Sequence, residues 1–166
     1  NTDVPAGDLG VGGREIGYLF GQYRKLKNEF TGVLTGKGAA WGGSLIRPEA
    51  TGYGTVYFLD EMLKLHGKSL EGKTVLASGY GNVGTMFIRK INELGGKVVT
   101  VADQFGYVHD PEGIKGEKLD FLEALWATYR RPVKDYADHF GLKWVEGKRP
   151  WEVPCDIAFP SATQNE

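Results

Sequence analysis

Apolar residues recur along this chain with two alternating periods, and the alternation predicts the architecture. Ile16, Leu19, Phe20, Tyr23 and Leu26 fall at i, i+3, i+4, i+7 and i+10, one face of a helix. Gly17 and Gly21 sit inside that helix at a cost in propensity, and their four-residue spacing predicts a face that another element approaches closely. Residues 32–37 read as a short strand and turn. A second helix begins at Arg47-Pro48-Glu49-Ala50, where proline suits a helix start, with Val56, Leu59 and Leu63 as its buried stripe. Residues 74–78, Thr-Val-Leu-Ala-Ser, then form an apolar strand. Val83, Phe87, Ile91 and Leu94 mark the helix after it, which Gly95-Gly96 ends.

The alternation continues through the second half. Residues 97–102 form another strand and residues 107–109 a short extended piece, closed by the turn signal Asp110-Pro111-Glu112-Gly113. Leu119, Leu122, Trp126 and Tyr129 mark a helix, residues 133–140 another that Gly141 stops, and residues 143–145 and 155–159 read as strands. Strands alternating with helices predict an α/β fold with a doubly wound, mainly parallel sheet.

Between the first of these strands and its helix stands Gly79-Tyr80-Gly81-Asn82-Val83-Gly84. A bare G-x-G-x-x-G occurs in ordinary loops. Here a strand precedes it, a helix follows it, and Asp103 ends the next strand 19 residues past Gly84, the context of a dinucleotide site. Each glycine has its own task. Gly79 permits the tight turn, Gly81 lets a pyrophosphate approach the backbone, and Gly84 lets the helix pack closely, while the helix N-terminus offers free N–H groups to the phosphate. The competing reading is a structural glycine turn that binds nothing.

Composition narrows the partners. The chain has 166 residues, 41% apolar and 25% charged, with a net charge of −1, so nothing in its charge balance favours nucleic acid or an anionic membrane. The single cysteine, Cys155, excludes an internal disulfide and reads as a small core residue of a buried strand. His66, His109 and His139 are scattered without ligand spacing, so no metal site is expected. Lys37 in Gly36-Lys37-Gly38 fails as a phosphate loop, because the glycine spacing is short and no Ser or Thr follows. Trp126, Trp144 and Trp151 read as core or rim aromatics. No apolar stretch is long enough to span a bilayer and no signal peptide is recognisable, so the expected location is cytoplasmic.

Four further runs carry a family resemblance. They are Asp3-Val4-Pro5-Ala6-Gly7-Asp8, Gly32-Val33-Leu34-Thr35-Gly36-Lys37, residues 43–54 (Gly-Ser-Leu-Ile-Arg-Pro-Glu-Ala-Thr-Gly-Tyr-Gly), and the terminal Ala162-Thr163-Gln164-Asn165-Glu166. In register with the glycine fingerprint, they resemble the hexameric glutamate dehydrogenases of bacteria and lower eukaryotes, over the whole chain. The resemblance implies reversible oxidative deamination of L-glutamate to 2-oxoglutarate and ammonia, with hydride passed to NAD(P), and a homohexamer in the full-length parent. It further implies a central fragment: residues 1–45 would end a substrate domain and residues 46–166 would form an incomplete Rossmann-like NAD(P)-binding domain. The family's catalytic lysine would lie upstream of Asn1 and a substrate-binding serine downstream of Glu166, so catalysis by this piece alone is not expected.

Site roles follow from the same resemblance. Asp8 matches the aspartate that handles protons during imine formation and hydrolysis, a task suited to a carboxylate tuned toward working pH. Gly7 matches a backbone contact to substrate and Thr35 a hydroxyl beside it. Arg47 and Thr51 match residues near the nicotinamide. Asn82 matches an amide at the cofactor phosphates, within the cradle of Gly79, Gly81, Val83 and Gly84, and Ala162 and Asn165 border the nicotinamide ribose. Asp103 reads by the general rule as a 2′-hydroxyl partner and hence for NAD, whereas overall similarity favours NADP. Ser161 departs from the cysteine often found before Ala-Thr-Gln-Asn. The alternatives are a dehydrogenase for leucine or phenylalanine, or a non-catalytic dinucleotide-binding module.

Overall fold

The computed structural model describes residues 2–129 and 131–165, with Tyr129 described by its backbone alone; Glu166, the last residue of the terminal run, lies outside the described residues. Two compact units result, Asn1–Arg47 and Pro48–Glu166.

The first unit is built on α1 (Gly13–Lys27). Its start is capped from one side, with the Gly12 N–H donating to Glu15 Oε2 at 2.9 Å, and it stops at Asn28 in the left-handed conformation (φ 53°). Ile16 and Phe20 are buried with Leu34, but Leu19 and Leu26 of the same periodic set are 50% and 75% exposed. Tyr23 is partly buried against the same cluster, so two of the five stripe positions face solvent. The glycine expectation divides likewise. A Cβ on Gly17 would lie 2.4 Å from the Trp41 ring, a genuine close approach, whereas Gly21 faces open space.

Residues 32–37 do not form the expected strand. Leu34 and Gly36 take left-handed φ values of 66° and 77°, which no strand accommodates, and Lys37 folds back to donate through Nζ to the carbonyls of Val33, at 2.6 Å, and Leu34. Lys37 is 6% exposed, so its ammonium is spent on those carbonyls and on the face of Phe20, 5.6 Å away.

The second unit contains α2 (Ala50–Leu65), β1 (Thr74–Ala77), α3 (Asn82–Glu93), β2 (Lys97–Asp103), β3 (Gly106–His109), α4 (Glu117–Ala124), a π turn (Leu125–Tyr129), α5 (Lys134–Phe140), β4 (Trp144–Glu146) and β5 (Ile157–Phe159). Its sheet, among the described residues, has the order β4-β3-β2-β1-β5. β1 pairs in parallel with β2 and β5, while β3 runs antiparallel to both β2 and β4. Four of the five strands therefore point one way and only β3 is reversed, the mainly parallel α/β sheet that the alternation predicts. Gly141 ends α5 at φ 65°, as its position in the sequence predicts.

The core lies between this sheet and its helices. Val75, Leu76 and Ala77 of β1 and Val98, Val99, Val101 and Ala102 of β2 are 2% exposed or less, a continuous apolar run suited to a sheet covered on both faces. Thr100 interrupts it without penalty: its hydroxyl accepts from the Ala77 N–H and donates to the Ala77 carbonyl, both at 3.1 Å, next to a register irregularity at Val75/Leu76. α3 turns Phe87, Ile88 and Ile91 into the core, and α2 meets α3 through Gly52, where a Cβ would be 2.7 Å from the Phe87 nitrogen. Leu59 and Leu63 of α2 are only partly buried against that core. Trp126, Trp144 and Trp151 are half-buried, rim aromatics rather than core. No helix among the described residues is long and apolar enough to cross a membrane.

Residues 155–159 correct the sequence reading. The strand is shorter, Ile157–Phe159, and Cys155 is exposed instead of a small core residue. β5 pairs with β1 and enters the sheet through Asp156, whose Oδ2 accepts from the Thr74 N–H at 2.8 Å. The chain before it therefore runs over the surface. That amide bond, helped by Lys73, holds the Asp156 carboxyl below the usual aspartate range. A depressed folded value means the contribution is present above about pH 4 and lost as pH falls through the folded-state pKa. Carbon-detected NMR titration is expected to find Asp156 with a low pKa, and Asp156→Asn to remove that part of the acid sensitivity.

Candidate functional site

The parallel strands end together at the glycine fingerprint. β1, flanked by β2 and β5, marks the place where the strand order reverses, and ligands of open α/β sheets bind outside the carboxyl ends of strands at such a point. Gly79 and Gly81 lie in the turn from β1 to α3 here, and Asn82, Val83 and Gly84 form the first turn of α3. Asp103 ends the neighbouring β2, and the segment carrying Ala162 and Asn165 follows β5.

The three glycines have different physical roles. A Cβ on Gly79 would stand 2.5 Å from the Ser161 carbonyl oxygen, and one on Gly84 only 2.3 Å from the Gly79 carbonyl oxygen. These two are required by the fold of the loop itself. Gly81 differs, since it has ordinary extended dihedrals (φ −69°, ψ −169°) and the nearest atoms to a Cβ are Trp126 ring carbons at 3.8 Å or more. The fold leaves room there, beside the helix N-terminus. The Thr85 N–H is the first in α3 to bond within the turn, to the Gly81 carbonyl at 2.9 Å. A space that a Cβ would fill, next to the positive end of a helix dipole, suits a pyrophosphate.

Two expected cofactor side chains are already engaged with backbone. Asn82 is exposed, and its Nδ2 donates to the Pro48 carbonyl at 2.7 Å, tying the start of α3 to the approach to α2. This brings Thr51, exposed in the first turn of α2, into the neighbourhood of the fingerprint. The Asp103 carboxylate accepts from the Phe105 N–H and the Val133 N–H, both at 2.8 Å.

Sequence reasoning passed over the residues that hold this loop. Ser161 Oγ accepts from the Gly79 N–H at 3.0 Å, while the Ser161 N–H donates to the Oγ of buried Ser78 at 3.1 Å, a reciprocal clasp between the ends of β1 and β5. Tyr80 donates its hydroxyl to the Arg131 carbonyl at 2.7 Å, and Arg149 donates to the Asp103 carbonyl at 2.5 Å. The available signal was position alone: two serines, one and two residues past strands that turn out to be neighbours.

The remaining candidates belong to the first unit. Asp8 is exposed, with Oδ1 accepting from the Leu9 N–H at 2.8 Å, and its carbonyl accepts from Val11 at the same distance. Gly7 lies under that turn, where a Cβ would be 2.7 Å from the Val11 carbonyl oxygen. Thr35 is exposed, and its N–H donates to the Pro5 carbonyl at 3.0 Å, so the turn bearing Thr35 is tied to the segment bearing Gly7 and Asp8. Arg47, exposed, closes this unit.

Residues 42–166 match the family described as glutamate/leucine/phenylalanine/valine dehydrogenase. An NAD-specific glutamate dehydrogenase of Bacteroides fragilis is 58% identical over 100% of this chain and 38% of its own length. An NADP-specific glutamate dehydrogenase of Haemophilus influenzae is also 58% identical, over 100% of this chain and 37% of its own length. A solved glutamate dehydrogenase structure superposes with a TM-score of 0.85 at 52% identity, covering 98% of this chain and 37% of that one. The chain thus spans little more than a third of the length of the relatives it matches. With most of its length matching the family and more than half its residues identical to those relatives, the chain belongs to the glutamate/leucine/phenylalanine/valine dehydrogenase family.

Proposed function

We propose that this chain is part of a glutamate dehydrogenase, which deaminates L-glutamate reversibly to 2-oxoglutarate and ammonia, and that its second unit binds the nicotinamide dinucleotide. The observation that carries the reading is the space at Gly81 beside the N-terminus of α3, with Gly79 and Gly84 locked by contacts of their own. Backbone N–H groups of Asn82, Val83 and Gly84 would hold the pyrophosphate, and Thr51, Ala162 and Asn165 would border the nicotinamide end. When bound, the dinucleotide supplies the hydride acceptor. The protein's own chemistry falls to Asp8, whose carboxylate moves protons at the substrate nitrogen and oxygen as the imine forms and is hydrolysed, held in orientation by the Leu9 N–H. Gly7 and Thr35 would meet the substrate, and Arg47 the cofactor.

Glutamate is favoured over leucine or phenylalanine by the 58% identity to two relatives named as glutamate dehydrogenases. Those relatives differ in cofactor at equal identity, so overall likeness does not select one. NADP is favoured because the Arg149 guanidinium sits on the Asp103 carbonyl at the end of β2, where a cation would offset a 2′-phosphate, with NAD the alternative. Assembly of the whole protein as a homohexamer belongs to the same reading. The test is calorimetric titration of this polypeptide with NADPH and, separately, NADH. Saturable one-to-one binding with tighter NADPH is expected, and a folded, monodisperse sample that binds neither would sink the reading.

A further inference from the structure

The acidic residue at the end of a second strand is ordinarily read as the group that chooses between dinucleotides, by bonding a 2′-hydroxyl. In this structure both oxygens of that carboxylate serve the protein. Asp103 Oδ1 accepts from the Phe105 N–H, a local turn within the β2–β3 hairpin. Oδ2 accepts from the Val133 N–H, 30 residues away, and Val133 is fully buried, so its amide has no water to fall back on. The same loop has a second tether, because Tyr80 of the fingerprint donates to the Arg131 carbonyl at 2.7 Å. Residues 131–133 are thus stretched between the glycine fingerprint and the end of β2, where the adenosine ribose of a bound dinucleotide would come to rest. Two amide dipoles face the carboxylate, and the Arg149 guanidinium sits on the carbonyl of the same residue, so both the side chain and the backbone of Asp103 are engaged within the protein.

We propose that Asp103 is a positioning residue for the cofactor: by holding the 131–133 loop through the Val133 amide it sets how tightly a dinucleotide binds, and it does not select between NADH and NADPH. This rests on the dinucleotide-binding reading above. The experiment compares the unaltered polypeptide with Asp103→Ala and Asp103→Asn by calorimetric titration against NADH and NADPH, alongside hydrogen exchange of the Val133 amide without cofactor. Asp103→Ala is expected to weaken both cofactors by a similar factor of about ten, leave the ratio of the two Kd values within about twofold, and speed Val133 exchange. Asp103→Asn, which keeps one accepting oxygen, is expected to recover part of both the affinity and the protection. A ratio that moves about tenfold toward NADPH while Val133 exchange stays unchanged would overturn the proposal in favour of a direct ribose contact. Unchanged affinity for both cofactors would overturn it as well. An unaltered polypeptide that binds neither cofactor refutes the underlying reading and this proposal with it, whereas exchange at Val133 reports the clamp independently of that failure.

Discussion

Gly81→Val is expected to abolish measurable binding of both NADH and NADPH, a loss of at least about 100-fold or roughly 2.8 kcal/mol, while leaving thermal unfolding of the polypeptide nearly unchanged. The separation of the two effects follows from local geometry. Gly81 already has extended dihedrals that valine adopts readily, and the closest atoms to its Cβ would be Trp126 ring carbons at ordinary contact distance. The added side chain therefore costs the fold little but occupies the room beside the helix N-terminus. Gly84→Ala should behave differently. Its Cβ would meet the Gly79 carbonyl at 2.3 Å, so the loop must shift, costing about 1–3 kcal/mol together with binding. Titration and circular-dichroism melts on the same samples distinguish the pair. Retained binding in Gly81→Val would refute the phosphate cradle, and an equal loss of stability in both variants would refute the division of labour between the glycines.

The largest effect on stability is expected at Asp110, far from any role in binding. This carboxylate is 0% exposed and gathers Lys118 Nζ at 2.6 Å, the Tyr136 hydroxyl at 3.1 Å and the Glu112 N–H at 3.2 Å. It ties the turn after β3 to α4 and α5. Burial first, and the Asp110 charge second, push the Tyr136 phenol up, so it stays protonated and donates. Asp110→Ala leaves that hydroxyl buried and unpaired and takes from the Lys118 ammonium its nearer carboxylate, leaving it Glu112 at 3.6 Å and, at 22% exposure, access to water. Removing one partner of such a buried cluster costs about 3–5 kcal/mol, and the escape open to Lys118 places the expectation at the lower end, near 3 kcal/mol. Urea denaturation measures it, and a change below about 0.5 kcal/mol would mean the cluster is energetically neutral. The hydrogen bond to Asp110 also raises the Lys118 pKa. Its contribution is therefore complete below the unfolded lysine value of about 10.5 and is lost as pH rises through the folded value, so stability should decline in alkali and Asp110→Ala should flatten that decline.

Much of the second unit was legible because its signals are local. A strand, a glycine turn and an amphipathic helix follow one another within twenty residues, and each constrains the next through backbone geometry alone: α3 starts at Asn82, ends before Gly95, and buries Phe87 and Ile91 as the periodicity requires. The first unit was less legible. Its strand at residues 32–37 is replaced by left-handed turns that Lys37 caps, and two of the five α1 stripe residues stay exposed, because periodicity reports which face could be buried and not which of its positions are. Cys155 was misplaced because the strand begins only at Ile157, and an apolar run does not record where the chain enters the sheet.

The candidate site divides along the same line. By itself the sequence determined that a glycine fingerprint stands between a strand and a helix, with an acidic residue on the next strand and family runs on either side. Only the tertiary structure decided which glycine leaves room for a ligand, because that depends on Ser161 and Trp126, residues about 82 and 45 positions away in the chain that the order β2-β1-β5 and the π turn bring to the loop. It also decided that the polar groups of Asn82 and Asp103 hold backbone at Pro48 and Val133. Hydrogen bonds of that kind join residues about 30 positions apart, and a sequence records no such distances; they exist once the hydrophobic effect has packed the strands and helices and brought each donor to its acceptor.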